Sequence, residues 1–168
     1  MASALMAPEK RHLSDAEQNG YSHYETWLAH YTLWNWSDTV SDEFPEGGTK
    51  SDWTQETHDL YQEWQEYGDD NDSLQEWIAD SIRDSALSVE VRTGWYQVGV
   101  DDGEPEEFRI VFSTGGPHME LRGKLAALGN FSYMQLLVMQ WGEPLHEIAQ
   151  GINVEVLEFV AGQFYFDC

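Results

Sequence analysis

The carboxylates between Ser51 and Asp84 are the side chains of this sequence whose spacing most clearly indicates a chemistry. If the segment is an α-helix, five of them, spaced four, three, four and three residues apart, form one stripe, which we name the acidic row: Asp52, Glu56, Asp59, Glu63 and Glu66. Ionised carboxylates accept charge-assisted hydrogen bonds from Lys and Arg, the side chains that also bind phosphate. The spacing therefore predicts a surface that binds basic partners.

The acidic row is not diluted by positive charge. No Lys or Arg lies between Lys50 and Arg83, and like charges one helical turn apart destabilise a helix by roughly 0.2–0.5 kcal/mol per pair. At the rise of an α-helix the row would extend over roughly 20 Å, and one DNA strand carries a phosphate about every 3.4 Å. We interpret the row as an imitation of nucleic-acid charge. Further carboxylates are expected to support it: Asp69, Asp70, Asp72, Glu76 and Asp80.

The charge of the whole chain agrees with a basic partner. Its 168 residues include 31 Asp and Glu but only 8 Lys and Arg, which gives a formal net charge of −23. Such a field repels nucleic acid and anionic membrane surfaces and speeds association with basic surfaces. Twenty of the 31 acids precede Val91. This asymmetry favours a dedicated surface over general adaptation to high salt, in which the acids would be evenly spread.

Cofactor and catalytic chemistry is not indicated. The one cysteine, Cys168, supports no disulfide within the chain. His23 and His30 are seven residues apart, which is loose spacing for a metal site. The run Asp69–Asp72 lacks the spaced ligands, central Gly and distal Glu of a calcium loop. No pair of carboxylates stands out as an acid and a base. We therefore expect no catalytic residues, no metal site and no cofactor.

The sequence gives no indication of secretion or membrane insertion. The beginning of the chain lacks a basic region followed by an apolar run. No segment approaches the roughly 20 apolar residues of a membrane span. We expect a cytoplasmic protein, found in the host cytoplasm if a phage encodes it.

Two helices are predicted to precede and contain the acidic row. Residues 1–20 are weakly patterned and are expected to form a flexible arm. A helix over residues 21–36, with Ser22 and Glu25 as a capping box, would bury Tyr24, Trp27, Leu28, Tyr31 and Trp34. The helix of the acidic row would have Ser51 as its cap, end near Gly68, and bury Trp53, Thr57, Leu60, Trp64 and Tyr67.

The rest of the chain is expected to form one more helix, a sheet and a final helix. The third helix would start at Asp72 or Ser73 and bury Leu74, Trp77, Ile78, Ile82 and Leu87. Strands are predicted at 88–93, 94–100, 107–114, 119–125 and 131–141, the last one central and buried. Asn153 would cap the final helix, whose inward residues would be Val154, Leu157, Val160, Ala161 and Phe164.

These elements predict an α+β fold in which acidic helices precede an antiparallel β-meander that a C-terminal helix covers. We expect a single domain over residues 21–168, with a helical lobe at 21–87 and a β-rich lobe at 88–168. In this arrangement the helical lobe carries the acidic row.

Several short segments resemble uncharacterised families of mobile elements. The segment Tyr24–Trp27, with Leu33-Trp34 and the acidic loop after it, resembles the opening of small proteins from phages and plasmids. Phe112–Pro117, Trp141–Pro144 and Gln163–Phe166 resemble another such family. In size and charge the chain is similar to anti-restriction and anti-CRISPR proteins, several of which imitate DNA. The last resemblance implies inhibition of a host defence complex.

The sequence therefore predicts a non-enzymatic inhibitor that imitates nucleic acid. Its partner would be a basic nucleic-acid-binding protein or complex, either a CRISPR effector or a restriction enzyme, and a homodimer is possible. No direct binding to nucleic acid or membrane is expected. The alternatives are a salt-adapted acidic binding protein without mimicry, or a small enzyme that uses the β-rich half. A pocket lined by His118, Trp141 and His146 would favour the enzyme.

Overall fold

The computed structural model describes residues 13–39, 52–66, 71–95, 103–126 and 130–166, without the side chains at 38–39 and 71–72. The elements in chain order are α1 (Asp15–Thr39), α2 (Gln55–Gln65), α3 (Asn71–Asp84), β1 (Ser88–Thr93), β2 (Pro105–Ser113), β3 (His118–Leu125), β4 (Phe131–Met139), β5 (His146–Glu147) and α4 (Val154–Ala161). The predicted α+β class is confirmed.

The chain divides into two compact units. Residues 22–85 form the helical unit, and residues 1–21 together with 86–168 form the sheet unit. The predicted lobes had their boundary between residues 87 and 88, close to this division. The helix α1 begins in the sheet unit and continues into the helical unit.

The helix α1 begins earlier than predicted. Ser14 and Glu17 form the capping box: the Glu17 amide donates to Ser14 Oγ at 3.2 Å, and the Ser14 amide donates to Glu17 Oε2 at 2.8 Å. The expected cap at Ser22 lies inside the helix. The prediction of a flexible arm is therefore wrong for residues 13–20, and residues 1–12 lie outside the described part.

Residues three and four apart bury one face of α1. Tyr24 and Trp27 are buried as predicted, but Leu28, Tyr31 and Trp34 are only half-buried, and the core contains Ala16, Ala29, His30 and Leu33 instead. In the sheet unit this face is very close to the sheet. A Cβ on Gly20 would lie 2.7 Å from Val138 Cγ1 and 2.8 Å from Ile148 Cδ1, so a glycine is required at this contact.

The helix α2 begins later than predicted. Thr54, in extended backbone geometry, is its N-cap, and its side-chain oxygen accepts a hydrogen bond from the Thr57 amide at 3.2 Å. The predicted cap at Ser51 is therefore wrong for this helix, and Trp53 lies before the helix rather than in its buried stripe. Tyr61 takes a buried position between Thr57 and Trp64, while Leu60 is only half-buried.

Aromatic rings join α1 to the region of α2. The Trp36 ring lies 5.4 Å from the Trp53 ring and 5.5 Å from the Tyr61 ring, measured between centroids. The contact between α1 and α3 includes a hydrogen bond from Gln75 Nε2 to Ser37 Oγ at 3.0 Å. The core of the helical unit is thus aromatic on one side of α1, and α3 adds buried aliphatic residues: Leu74, Ile78 and Ile82.

In the described ranges the sheet has five antiparallel strands in the order β1-β2-β3-β4-β5, which is the predicted meander. Register places Ile110 opposite Leu121, and Leu121 opposite Leu136. These three side chains are buried, and α4 packs against β4. The other face, which we name the polar face, carries charged residues of the first three strands: Glu90, Arg92, Glu107, Arg109, Glu120, Arg122 and Lys124. Residues 96–100 of the predicted second strand lie outside the described part.

The helix α4 begins as predicted. Asn153 is the N-cap, and its side chain accepts a hydrogen bond from the Glu155 amide at 3.0 Å. The predicted inward residues Leu157, Val160 and Ala161 are buried. Val154 is 49% exposed, and Val156 is buried in its place, because the first residue of the helix turns towards solvent.

Candidate acidic binding surface

The helix α2 carries most of the acidic row. Glu56, Asp59 and Glu63 lie within α2 and Glu66 is its C-cap, and all four side chains are exposed. Asp52 is exposed as well, but it precedes the helix, so the predicted continuous row of five is wrong. From Glu56 to Glu66 a helix advances about 15 Å, which is shorter than the expected length.

Two described side chains donate hydrogen bonds to the acids of α2. Thr26 Oγ1 donates to Glu56 Oε1 at 2.9 Å, and Gln55 Nε2 donates to Asp59 Oδ1 at 2.8 Å. No ion pair joins Glu56, Asp59 or Glu63 to a Lys, Arg or His anywhere in the described ranges. Their negative charge is therefore directed at solvent and is available to a partner.

The supporting acids differ among themselves. Glu76 and Asp80 are exposed on α3. Arg83 forms an ion pair with Asp80 at 2.5 Å, so part of the charge of Asp80 is already neutralised. Asp69 and Asp70, and the side chain of Asp72, lie outside the described part.

The polar face of the sheet contains a charged cluster that the sequence analysis missed. Glu120 is buried, with its side chain 1% exposed, and its carboxylate contacts three basic groups. Arg122 Nε pairs with Glu120 Oε1, His118 Nε2 lies 3.0 Å from Glu120 Oε2, and Arg109 Nη1 lies 3.9 Å from the same oxygen. A buried carboxylate requires such partners, since an unpaired charge there would be strongly destabilising.

The same face pairs its other charges across strands. Glu90 on β1 pairs with Arg109 on β2, and this hydrogen bond raises the pKa of Arg109 and lowers the pKa of Glu90. Arg92 pairs with Glu107, which also lies 3.7 Å from Lys124. The exposed basic side chains of the described sheet unit are therefore engaged with carboxylates of the same unit.

One signal in the sequence could have indicated this cluster. Every second residue of β3 is polar, and these side chains share one face of the strand: His118, Glu120, Arg122 and Lys124. The position of Arg109 beside this series depends on the register between β2 and β3, which pairs Arg109 with Arg122.

The pocket that would favour an enzyme is not formed by His118 and His146. His118 is opposite Met139, whereas His146 is opposite the adjacent residue, Val138. Adjacent strand residues point to opposite faces, so the two histidines lie on opposite faces of the sheet. His146 Nε2 lies 3.9 Å from Glu17 Oε1, and Trp141 is 78% exposed.

Within the described residues, no helix is long and apolar enough to cross a membrane. The same ranges contain no group of three or more His, Cys, Asp or Glu side chains that could hold a metal ion. The comparisons leave the surface without a family assignment: no protein-family model, no curated protein and no solved structure matches this chain.

Proposed function

We propose that this protein is an inhibitor that occupies the nucleic-acid-binding surface of a basic protein or complex, such as a CRISPR effector or a restriction enzyme. One observation carries the proposal: Glu56, Asp59 and Glu63 are exposed on one helix and form no ion pair with any described cation. Lys and Arg of a phosphate-binding groove are the side chains that these carboxylates would attract.

The electrostatics of the chain favour fast association with such a groove. The formal net charge is −23, and opposite potentials steer encounter between proteins. In the helical unit the one described Lys or Arg is Arg83, which is paired with Asp80. A basic partner therefore meets little positive charge along α2.

The test is a competition between this protein and labelled DNA or RNA for purified nuclease complexes, read by fluorescence anisotropy. The triple variant Glu56→Gln/Asp59→Asn/Glu63→Gln should bind at least about tenfold more weakly, a loss of about 1.4 kcal/mol. Binding of the unaltered protein should weaken between about 0.1 M and about 1 M salt, where the screening length falls from about 10 Å to about 3 Å.

A matched control separates mimicry from general acidity. Glu104→Gln/Glu106→Gln/Glu143→Gln changes the net charge by the same amount at exposed positions of the sheet unit. Mimicry by α2 requires this control to compete as well as the unaltered protein. Equal losses in the two variants would instead indicate a non-specific effect of net charge, as in a salt-adapted protein. Full competition by the α2 variant would exclude α2 as the binding surface.

A further inference from the structure

Among the described strands, β1 is the outer one at one end of the sheet, and its outer edge is open. It pairs with β2 on one side, and no strand of the described residues pairs with its other side. Four large apolar side chains in and beside β1 face solvent: Leu87 is 62% exposed, Val89 40%, Val91 36% and Trp95 106%. Proteins normally cover or charge such an edge, because its unpaired backbone groups bind other strands.

The charged residues of β1 define which strand fits this edge. Glu90 and Arg92 lie on the polar face, on either side of Val91, which points to the opposite face. In an antiparallel pair of identical strands related by a two-fold axis, the residue on the axis lies opposite its own copy. With Val91 on the axis, Glu90 lies opposite Arg92 of the second copy, and Arg92 lies opposite Glu90 of the second copy.

The two pairings of β1 with its copy whose axis is shifted by one residue are unfavourable. An axis through Glu90 would place two glutamates opposite each other, and an axis through Arg92 would place two arginines opposite each other, which destabilises a cross-strand pair. The Val91 register also places the two copies of Val91 opposite each other, and Val89 opposite Thr93 of the second copy.

We propose that β1 is a homodimer interface in which two copies of this chain pair antiparallel about Val91 and join their sheets into one. The charge pattern of each monomer continues across this junction. Arg92 already pairs with Glu107, and Glu90 with Arg109, so each new pair extends a row in which opposite charges alternate from strand to strand. This interface is independent of the inhibitor role proposed for α2.

Disulfide cross-linking tests the register in the full-length chain with Cys168→Ser as background. In antiparallel strands, directly opposed Cα atoms are about 4.5–5.5 Å apart, which suits a disulfide with a Cα separation of about 4.4–6.8 Å. Val91→Cys should therefore form a covalent dimer when diamide oxidises the two thiols to a disulfide. Val89→Cys is the matched control, because its two copies would be offset by four residues, or about 13 Å.

The expected result is a cross-linked fraction at least about tenfold larger for Val91→Cys than for Val89→Cys, given the narrow distance range of a disulfide. Equal cross-linking of the two variants, or none in either, would overturn the proposed register.

Sedimentation equilibrium tests the dimer without a cross-link. The unaltered chain should dimerise, whereas Val91→Lys, which opposes two cations on the axis, should be monomeric. Val154→Lys is the control, since Val154 is a comparably exposed valine on α4, and it should dimerise like the unaltered chain. A monomeric unaltered chain, or the same dimerisation in both lysine variants, would overturn the interface.

Discussion

The carboxylates of the two units of this molecule differ in whether they form ion pairs. On the polar face of the sheet, Glu90, Glu107 and Glu120 each contact an arginine. On the helical unit, Glu63 and Glu76 are exposed and form no ion pair among the described residues. These three acids of the sheet thus contribute to its internal structure, whereas Glu63 and Glu76 of the helices remain available for binding.

The geometry of the two kinds of element explains this difference. Side chains on neighbouring strands lie opposite one another at about 5 Å, so a charged residue on a sheet face needs a partner of opposite charge. Side chains on the outer face of a helix point into water, where two charges 4 Å apart interact by only about 1 kcal/mol. Helices can therefore tolerate a one-sided charge that a sheet face cannot.

The largest expected effect is on the buried carboxylate of the sheet unit. Glu120→Ala leaves Arg122, Arg109 and His118 without their common partner, and we expect a loss of about 3 kcal/mol in the free energy of unfolding, because partner removal in a buried pair is strongly destabilising. The expected loss is at the lower end of what partner removal in a buried ion pair costs, because the Arg122 and Arg109 side chains are 44% and 41% exposed. Urea unfolding followed by circular dichroism measures it.

Glu104→Ala is the matched control for this loss. Glu104 is an exposed acid in the same unit, and its removal should change the free energy of unfolding by no more than about 0.5 kcal/mol. Similar losses in both variants would mean that the sheet does not depend on the cluster around Glu120.

The second-largest expected effect is on the pH dependence of the free energy of unfolding, and it arises from a buried histidine of the helical unit. Unlike Glu120, His30 in α1 is buried with neither ring nitrogen hydrogen-bonded to a described residue, and burial lowers its pKa to about 4. An unfolded histidine has a pKa of about 6.5. Between these values the unfolded chain binds a proton that the folded chain does not, so His30 should cost about 2 kcal/mol of stability between about pH 7 and about pH 5.

His30→Leu should remove this dependence. The variant fills a similar volume without a polar group, so the difference in stability between it and the unaltered protein should grow as the pH falls through 6.5 towards 4. Burial also lowers the pKa of His23, and that contribution stays in both proteins and cancels in the difference. A constant difference across this range would show that His30 does not control the acid stability of the helical unit.

The sequence was sufficient for the α+β class and for the exposure of Glu56, Asp59 and Glu63, but insufficient where two positions offered the same local signal. Both Ser14–Glu17 and Ser22–Glu25 fit a capping box. The helix begins at the first, and its next turns bring Gly20 close to Val138 and Ile148, residues far along the chain that no local pattern indicates. Ser51 and Thr54 can both cap a helix. The hydroxyl of Thr54 makes the cap and lies 2.9 Å from that of Thr57, whose side chain is buried.

The charged cluster could not be predicted for a different reason. The exposure of Glu56, Asp59 and Glu63 follows from the helical period alone, so local sequence was enough to place them. The environment of Glu120 depends on the register of β3 against β2, because Arg109 comes from another strand. Register is set by the buried face and the turns together, and no local pattern of polar residues specifies it.

The smallest expected effect is also the most direct test of the contrast between the units. Replacing Glu by Gln should raise the free energy of unfolding in the helical unit and lower it in the sheet unit. Glu63→Gln with Glu66→Gln removes repulsion one turn apart and negative charge at the end of α2, which has no basic residue in its last turn. We expect a gain of about 0.5–1 kcal/mol in the free energy of unfolding.

In the sheet unit, Glu107→Gln removes the partner of Arg92 and Lys124 and should lower the free energy of unfolding by about 0.5 kcal/mol. Both effects should shrink in about 1 M salt, where charges are screened beyond about 3 Å. The same sign for the two variants in thermal unfolding would refute the view that Glu107 has a structural role that Glu63 and Glu66 lack.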